Sequence, residues 1–192
     1  MFISLFLYTL QYTNFNSSLG DTMIIYTIGH SKRTLNEIIS ILRYFKIKRI
    51  IDVRGYPYVS FNPEFNKQYL VTALSRRRID YVYLEGLSGL RSGLEYKIQS
   101  QCIKDESFRS FVAYMETDDF KQALDELIRL GEEKLSAIMC VELLYWECHR
   151  SLIADALKVL GHKVLHILDT KHVYEHEFTK CARLHNGKLV YI

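Results

Sequence analysis

Short apolar, β-branched runs alternate with segments of helical periodicity along this chain, and that alternation leaves few folds open. Met23 to Ile28, Arg49 to Val53, Ile79 to Leu84, Leu135 to Val141 and Val164 to Leu168 each have the length and composition of a strand. Between them, apolar residues recur at three- and four-residue spacing. Thr34 opens one such segment, Glu37 completes a capping box, and Leu35, Ile38, Ile39 and Leu42 form its buried stripe. Asn62 as N-cap, with Pro63 at the first helical position, opens a second that runs to about Arg78. Helical spacing resumes over 107–116 and 118–130. It returns from Arg150 to Leu160, with Ile153, Ala156, Leu157 and Leu160 on one face and Gly161 as the stop. Strands separated by helices predict an α/β fold. The expected sheet is mostly parallel, with five to six strands (the sixth from Leu189 to Ile192) and helices on both faces in a Rossmann-like three-layer architecture.

The 192 residues suffice for one domain that buries about 70% of its unfolded surface. Residues 23–192 read as a single α/β domain and 1–22 as an N-terminal extension. The extension starts apolar but has no basic segment and no small-residue cleavage pattern, and it is too short to cross a bilayer, so no membrane partner is expected. Three readings of it stay open: a disordered tail, a non-native start upstream of Met23, or an appended element over the core. Four cysteines without an export signal point to the cytoplasm and to reduced thiols. A formal charge of +3 is too small to imply nucleic acid by itself. The one dense basic run, Arg76-Arg77-Arg78, reads first as the solvated end of a helix, with nucleic-acid binding as the alternative.

In parallel α/β sheets, sites gather where strands end and helices begin. His30 and Ser31 follow the first predicted strand, Asp52 and Arg54 end the second, Glu85 ends the third, and Cys140 and Glu142 end the fourth. Cys148, His149 and Arg150 lie where the next helix starts. The polar and reactive residues thus share one predicted edge.

Those residues also carry a resemblance. "TIGHS" at 27–31, "DVR" at 52–54 with Pro57 after it, "NPEF" at 62–65, "YMET" at 114–117 with Phe120, and Cys140-x-Glu142 followed by Cys148-His149-Arg150 resemble, in order, the family called domain of unknown function 488. The resemblance spans about residues 24–170. It implies a compact α/β domain and no established reaction, although the family's cysteines have prompted suggestions of redox chemistry. The chain departs from the family in three places. Tyr58-Val59-Ser60-Phe61 lacks the usual serine followed by a basic residue, Leu87-Ser88-Gly89 replaces a double-glycine turn, and "LLYWE" at 143–147 is more apolar than the usual linker. That apolar stretch suggests a lid or a partner surface.

At a helix mouth Cys148 is the first candidate for a thiolate and Cys140 the second, either as a nucleophile or as a reversible thiol pair. Cys102 and Cys181 read as inert, small buried hydrophobes. Asp52 and Arg54 flank Val53 and can therefore point to one face, pairing with each other or with His149 or Arg150. Zinc is the rival use of Cys140, Cys148, His149 and His30, but the Cys-x-x-Cys spacing of a strong zinc signal is absent, so no metal and no other cofactor is predicted. The five histidines between His162 and His185 read as scattered hydrogen-bonding groups rather than ligands.

Three functions follow as expectations. The first is a thiol-dependent transferase, hydrolase or redox enzyme acting on a small anionic or nucleotide-like substrate. In it Cys140 and Cys148 are the reactive thiols, His30, His149 and Glu142 move protons, and Asp52, Arg54, Arg150 and Ser31 hold the substrate. The second is a non-catalytic module binding phosphate or nucleic acid. The third is an interaction protein, homodimeric or otherwise, that uses Leu143 to Trp146.

Overall fold

The computed structural model describes residues 22–58, 62–89, 102–185 and 188–192. Nearly all of the N-terminal extension, and the departure at Val59 to Phe61, lie outside the described residues. The chain builds a six-stranded sheet of β1 (Ile24–Gly29), β2 (Arg49–Asp52), β3 (Asp80–Tyr83), β4 (Ser136–Cys140), β5 (Lys163–Ile167) and β6 (Val173–Glu175). Their order is β3-β2-β4-β1-β5-β6, all parallel except the edge strand β6. The helices are α1 (Leu35–Tyr44), α2 (Lys67–Ser75), α3 (Glu106–Tyr114), α4 (Asp118–Glu133) and α5 (Arg150–Val159).

Two buried clusters sandwich the sheet. One joins α1 and α2 to Ile28, Ile50 and Met139; the other joins α3, α4 and α5 to Ile25, Ile51 and Ile138. The three-layer α/β arrangement is therefore the expected one. Its strand order is its own, since the dinucleotide-binding fold runs 3-2-1-4-5-6. The order has a consequence for function: the connection leaving β1 crosses β4 to reach β2, while the one leaving β4 crosses β1 to reach β5. Neighbouring strands thus send their chains in opposite directions, which makes the carboxyl ends of β1 and β4 the switch point where ligand sites form in such sheets.

Local chemistry explains the element ends. Thr34 caps α1, and its capping box with Glu37 forms as the spacing predicts. The helix expected from Asn62 to Arg78 is instead broken. Pro63–Phe65 is a single 3-10 turn, Asn66 is extended, and α2 starts only at Lys67. Asn62 turns its side chain to the Arg33 carbonyl rather than capping the helix. Buried Arg49 on β2 donates to the Leu130 carbonyl at the end of α4, where a cation suits the helix dipole.

Two further expectations are corrected at the C-terminal end. Lys188–Tyr191 forms a strand (β8), but it pairs antiparallel with β7 (Ala182–His185) in a separate hairpin, and the sixth strand of the main sheet is β6. Cys102 and Cys181 are not inert thiols: they are bonded to each other, with Cα atoms 5.8 Å apart. Their sequence separation of 79 conceals that the approach to α3 and the hairpin pack on the same face of the sheet. In the chain-entropy model, closing such a loop stabilises the fold by about 4–5 kcal/mol.

A buried polar chain ties this hairpin to the sheet. Asp155 on α5 accepts hydrogen bonds from the Tyr191 and Thr179 hydroxyls and from His176 Nε2 at 2.9 Å. A carboxylate only accepts, so His176 Nδ1 accepts from His166 Nε2 (2.9 Å), and His166 Nδ1 accepts from the Thr27 hydroxyl (2.7 Å). Every member of the run Thr27, His166, His176 and Asp155 is buried.

Two outcomes are expected. A Cβ on Gly29 would meet the Glu142 carbonyl oxygen at 1.7 Å, a backbone clash that no rotamer relieves. Gly29→Ala should therefore cost at least about 2 kcal/mol in urea unfolding. The second outcome concerns acid. Burial, then His176 and Arg150, lower His166 from 6.5 to about 2. Below pH 6.5 the unfolded chain takes up a proton that the native chain refuses, so stability falls with pH. The His166 share is about 2 kcal/mol between pH 7 and 5. His166→Gln should remove that share from the difference between urea unfolding at the two pH values.

Candidate functional site

The switch point is built by backbone contacts between the end of β1 and the loop that follows β4. His30 N–H donates to the Cys140 carbonyl (3.0 Å) and Ser31 N–H to the Val141 carbonyl (2.7 Å). Gly29 lets the Glu142 carbonyl lie directly over the strand end, and Arg150 Nη2 donates to that same carbonyl. The loop then makes a 3-10 turn, Tyr145–Glu147, before entering α5. It returns Cys148 beside Cys140, with His149 and Arg150 next in line.

The resulting cluster is tight and dry. Cys140, Cys148 and His149 are each less than a tenth exposed, and Arg150 is 1% exposed. His149 Nδ1 lies 3.7 Å from Cys148 Sγ and 3.9 Å from Cys140 Sγ, and Arg150 Nε donates to Cys148 Sγ at 3.2 Å. His149 Nε2 is 3.0 Å from the Leu87 carbonyl, which can only accept, so this nitrogen carries the proton. Nδ1 therefore faces both sulfurs with a lone pair free to take a thiol proton. The glycine-bearing loop holds the ring in place, since a Cβ on Gly89 would touch it at 2.6 Å.

The two thiols are driven apart in acidity. Burial opposes a Cys148 thiolate, but the Cys140 thiol donating to it, the Arg150 guanidinium and His149 outweigh burial and hold Cys148 well below the ordinary thiol value. Cys140, whose proton is shared with Cys148 and which is itself buried, is pushed well above it. One proton and one negative charge are thus divided between two sulfurs. The helix N-terminus is not the main cause here. α5 starts at Arg150, and Cys148 before it is extended.

Asp52, Arg54 and His30 form a second focus at the same sheet edge, packed against the α1–α2 layer. Asp52 and Arg54 pair with each other at 2.6 Å, and Arg54 also donates to the Phe65 carbonyl. They do not reach His149 or Arg150. His30 stacks on Phe65 with ring centroids 4.3 Å apart, so it does not join Cys140, Cys148 and His149 as the fourth zinc ligand considered from sequence. Burial, then Arg54, lower His30 to about 4, which keeps it neutral near pH 7. Among the described residues, buried His30 Nε2 and Arg54 Nη1 have no hydrogen-bond partner. His30 Nδ1 lies against the Ser31 carbonyl at 3.2 Å, so Nε2 is an acceptor, and Arg54 Nη1 is a donor.

Two other predicted site residues contribute differently from expectation. Glu142 lends its backbone carbonyl, while its side chain is exposed and makes no hydrogen bond or ion pair among the described residues. Ser31 contributes backbone at φ 47°. Sequence reading missed Arg33, whose guanidinium donates to the Gly29 and Leu168 carbonyls and lies within the electrostatic reach of Arg150. It also missed the Thr27–His166 run, which touches the site where Arg150 Nη1 donates to the Thr27 hydroxyl at 3.5 Å. In the loop, Tyr145 stacks on His166 at 3.6 Å, whereas Trp146 is 52% exposed and Leu143 37%. Cys140 Sγ, Cys148 Sγ and a His149 nitrogen all lie within 4.8 Å of one another, a donor set that suits zinc.

Among the described residues no helix is long and apolar enough to cross a membrane. No curated protein and no solved structure matches the chain significantly. A family model does match, over residues 34–157, which takes in α1 through most of α5 and every residue of the thiol cluster. The chain belongs to the domain of unknown function 488 (DUF488) family.

Proposed function

We propose that the chain is a thiol-dependent enzyme in which Cys148 attacks a small anionic substrate. The observation that carries this reading is the simultaneous approach of Arg150 Nε, His149 Nδ1 and Cys140 to one sulfur. A buried thiol with no such company is an inert hydrophobe. Here the sulfur has a fixed cation, a proton acceptor and a second thiol, which together favour the nucleophilic form. The Cys148 thiolate forms a bond to an electrophilic atom of the substrate as the bond to the leaving group breaks. The proton moved to His149 Nδ1 goes to the leaving group, and water then releases the product and restores the thiol.

An anionic substrate suits the guanidinium groups of Arg33 and Arg150 beside the thiols, and at the second focus Arg54 Nη1 adds a buried donor. Both sulfurs are buried, so the segment joining them must move to admit a substrate. Leu143 to Trp146, in which Tyr145 stacks on His166 while Leu143 and Trp146 are exposed, is assigned that lid.

The convergence of two sulfurs and one imidazole nitrogen within 4.8 Å favours a second reading, in which Cys140, Cys148 and His149 hold zinc and leave a fourth position open. One experiment separates the two. Alkylation by iodoacetamide should reach its rate plateau well below the pH at which an ordinary thiol ionises, about 8.5, and a chelator should not change it. Cys148→Ser should abolish the fast phase, and Cys140→Ser or His149→Ala should move its midpoint up by at least one pH unit. Stoichiometric zinc in the purified protein, with thiols unreactive until the metal is stripped, would favour the second reading. Slow alkylation at every pH in metal-free protein would sink the first.

A further inference from the structure

Six cationic side chains converge at the edge of the sheet opposite the thiols. Arg43, Lys46 and Lys48 come from the end of α1 and the turn into β2, and Arg76, Arg77 and Arg78 from the turn between α2 and β3. Together they line a depression of about 400 Å³. All six are exposed, and none forms an ion pair among the described residues. Carboxylates on adjoining elements are already engaged: Asp80 by Arg49 and Lys134, and Glu133 by Arg49 and Arg129. Subtracting these six charges from the formal +3 leaves −3 on the rest of the chain. A modest net charge therefore conceals a segregated one.

The bland account is that cations suit the carboxyl ends of helices. That effect falls off within one turn and explains a cation or two on each helix, not six from two separate turns facing one depression. Lys46 and Arg78 also both adopt φ 57°, the left-handed conformation in which glycine or asparagine usually ends a helix. Long cationic side chains occupy the two positions where glycine would cost least.

A second depression, of about 550 Å³, shares Arg76 and Arg77 with the first and is flanked by Tyr69, which is 56% exposed. The charges are thus spread along a track that ends at an exposed aromatic ring, not focused on one point as a lone phosphate would require. We propose that this track binds single-stranded nucleic acid, with phosphates along the six cations and a base stacked on Tyr69. The site is independent of the thiol chemistry, because it lies at the amino edge of the parallel strands and shares no residue with the cluster.

The test is fluorescence anisotropy of a labelled single-stranded 20-mer with the full chain between 50 and 300 mM salt. The logarithm of affinity against that of salt should have a slope of about −4 for six neutralised phosphates. Replacing Arg76, Arg77 and Arg78 together by Ser, in a variant shown to be folded by circular dichroism, should reduce the slope to about −2. Tyr69→Ala should weaken binding about tenfold without changing the slope. Cys148→Ser should bind like the parent, so failure of the thiol reading leaves this one standing. No binding at 50 mM salt, or an unchanged slope in the triple variant, overturns the proposal. So does competition by polyglutamate equal to that of the oligonucleotide with Tyr69→Ala silent, which would mark an acidic-peptide surface instead.

Discussion

The site depends on how closely the backbone after β4 can approach the end of β1. Two amide-to-carbonyl bonds, from His30 and Ser31 to Cys140 and Val141, continue the parallel ladder one step past the last paired residues. They bring the Glu142 carbonyl down onto a strand end where only a missing side chain leaves room. Arg150, entering from the far side of the loop, fastens to the same carbonyl with one nitrogen and to Cys148 with another. Loop closure and thiol electrostatics are therefore one arrangement. Anything that lifts the loop from Gly29 also moves the cation away from the sulfur.

The charge balance of that arrangement explains how a buried thiol can be held well below its ordinary pKa. Burial alone raises a thiol's pKa, and it does so for Cys140. Cys148 escapes because each neighbour contributes something different. Cys140 supplies a donor hydrogen, Arg150 a charge that cannot be neutralised, and His149 a nitrogen whose other face is committed to the Leu87 carbonyl. With the proton on His149, the thiolate is flanked by two positive groups and the cluster carries one excess positive charge. An incoming anion would offset that excess.

Much of this was legible in sequence, and the losses are specific. Short apolar runs and helical spacing locate the five parallel strands and most helices because the first report burial on both faces and the second burial on one. The clustering of His30, Asp52, Cys140 and Cys148 at one sheet edge follows from counting strand ends. Which face of the sheet a residue takes does not. Cys148 and Arg150 approach with α5, whereas His30 and Arg54 pack under Phe65 on the other side, so a single predicted site becomes two foci at one edge. The break at Asn66 was hidden because residues on both sides of it favour helix. The Cys102–Cys181 bond and the Thr27 to Asp155 run were hidden because their partners lie tens of residues apart and meet only after the hairpin folds back on α5.

The two edges of a parallel sheet differ in their fields before any side chain is added, and in this chain both edges carry clustered cations. Helices begin at the carboxyl edge and end at the amino edge, so the first is positive and the second negative. At the carboxyl edge, buried guanidinium groups reinforce a field that already favours anions, and neither burial nor short range lets salt screen it much. At the amino edge six exposed cations must overcome the helix ends, and they act through water, where 0.15 M salt confines their reach to about 8 Å. The first field suits one small ligand held close to buried cations. The second suits only a ligand that brings many charges at once, because each contact is weak and the strength lies in their number.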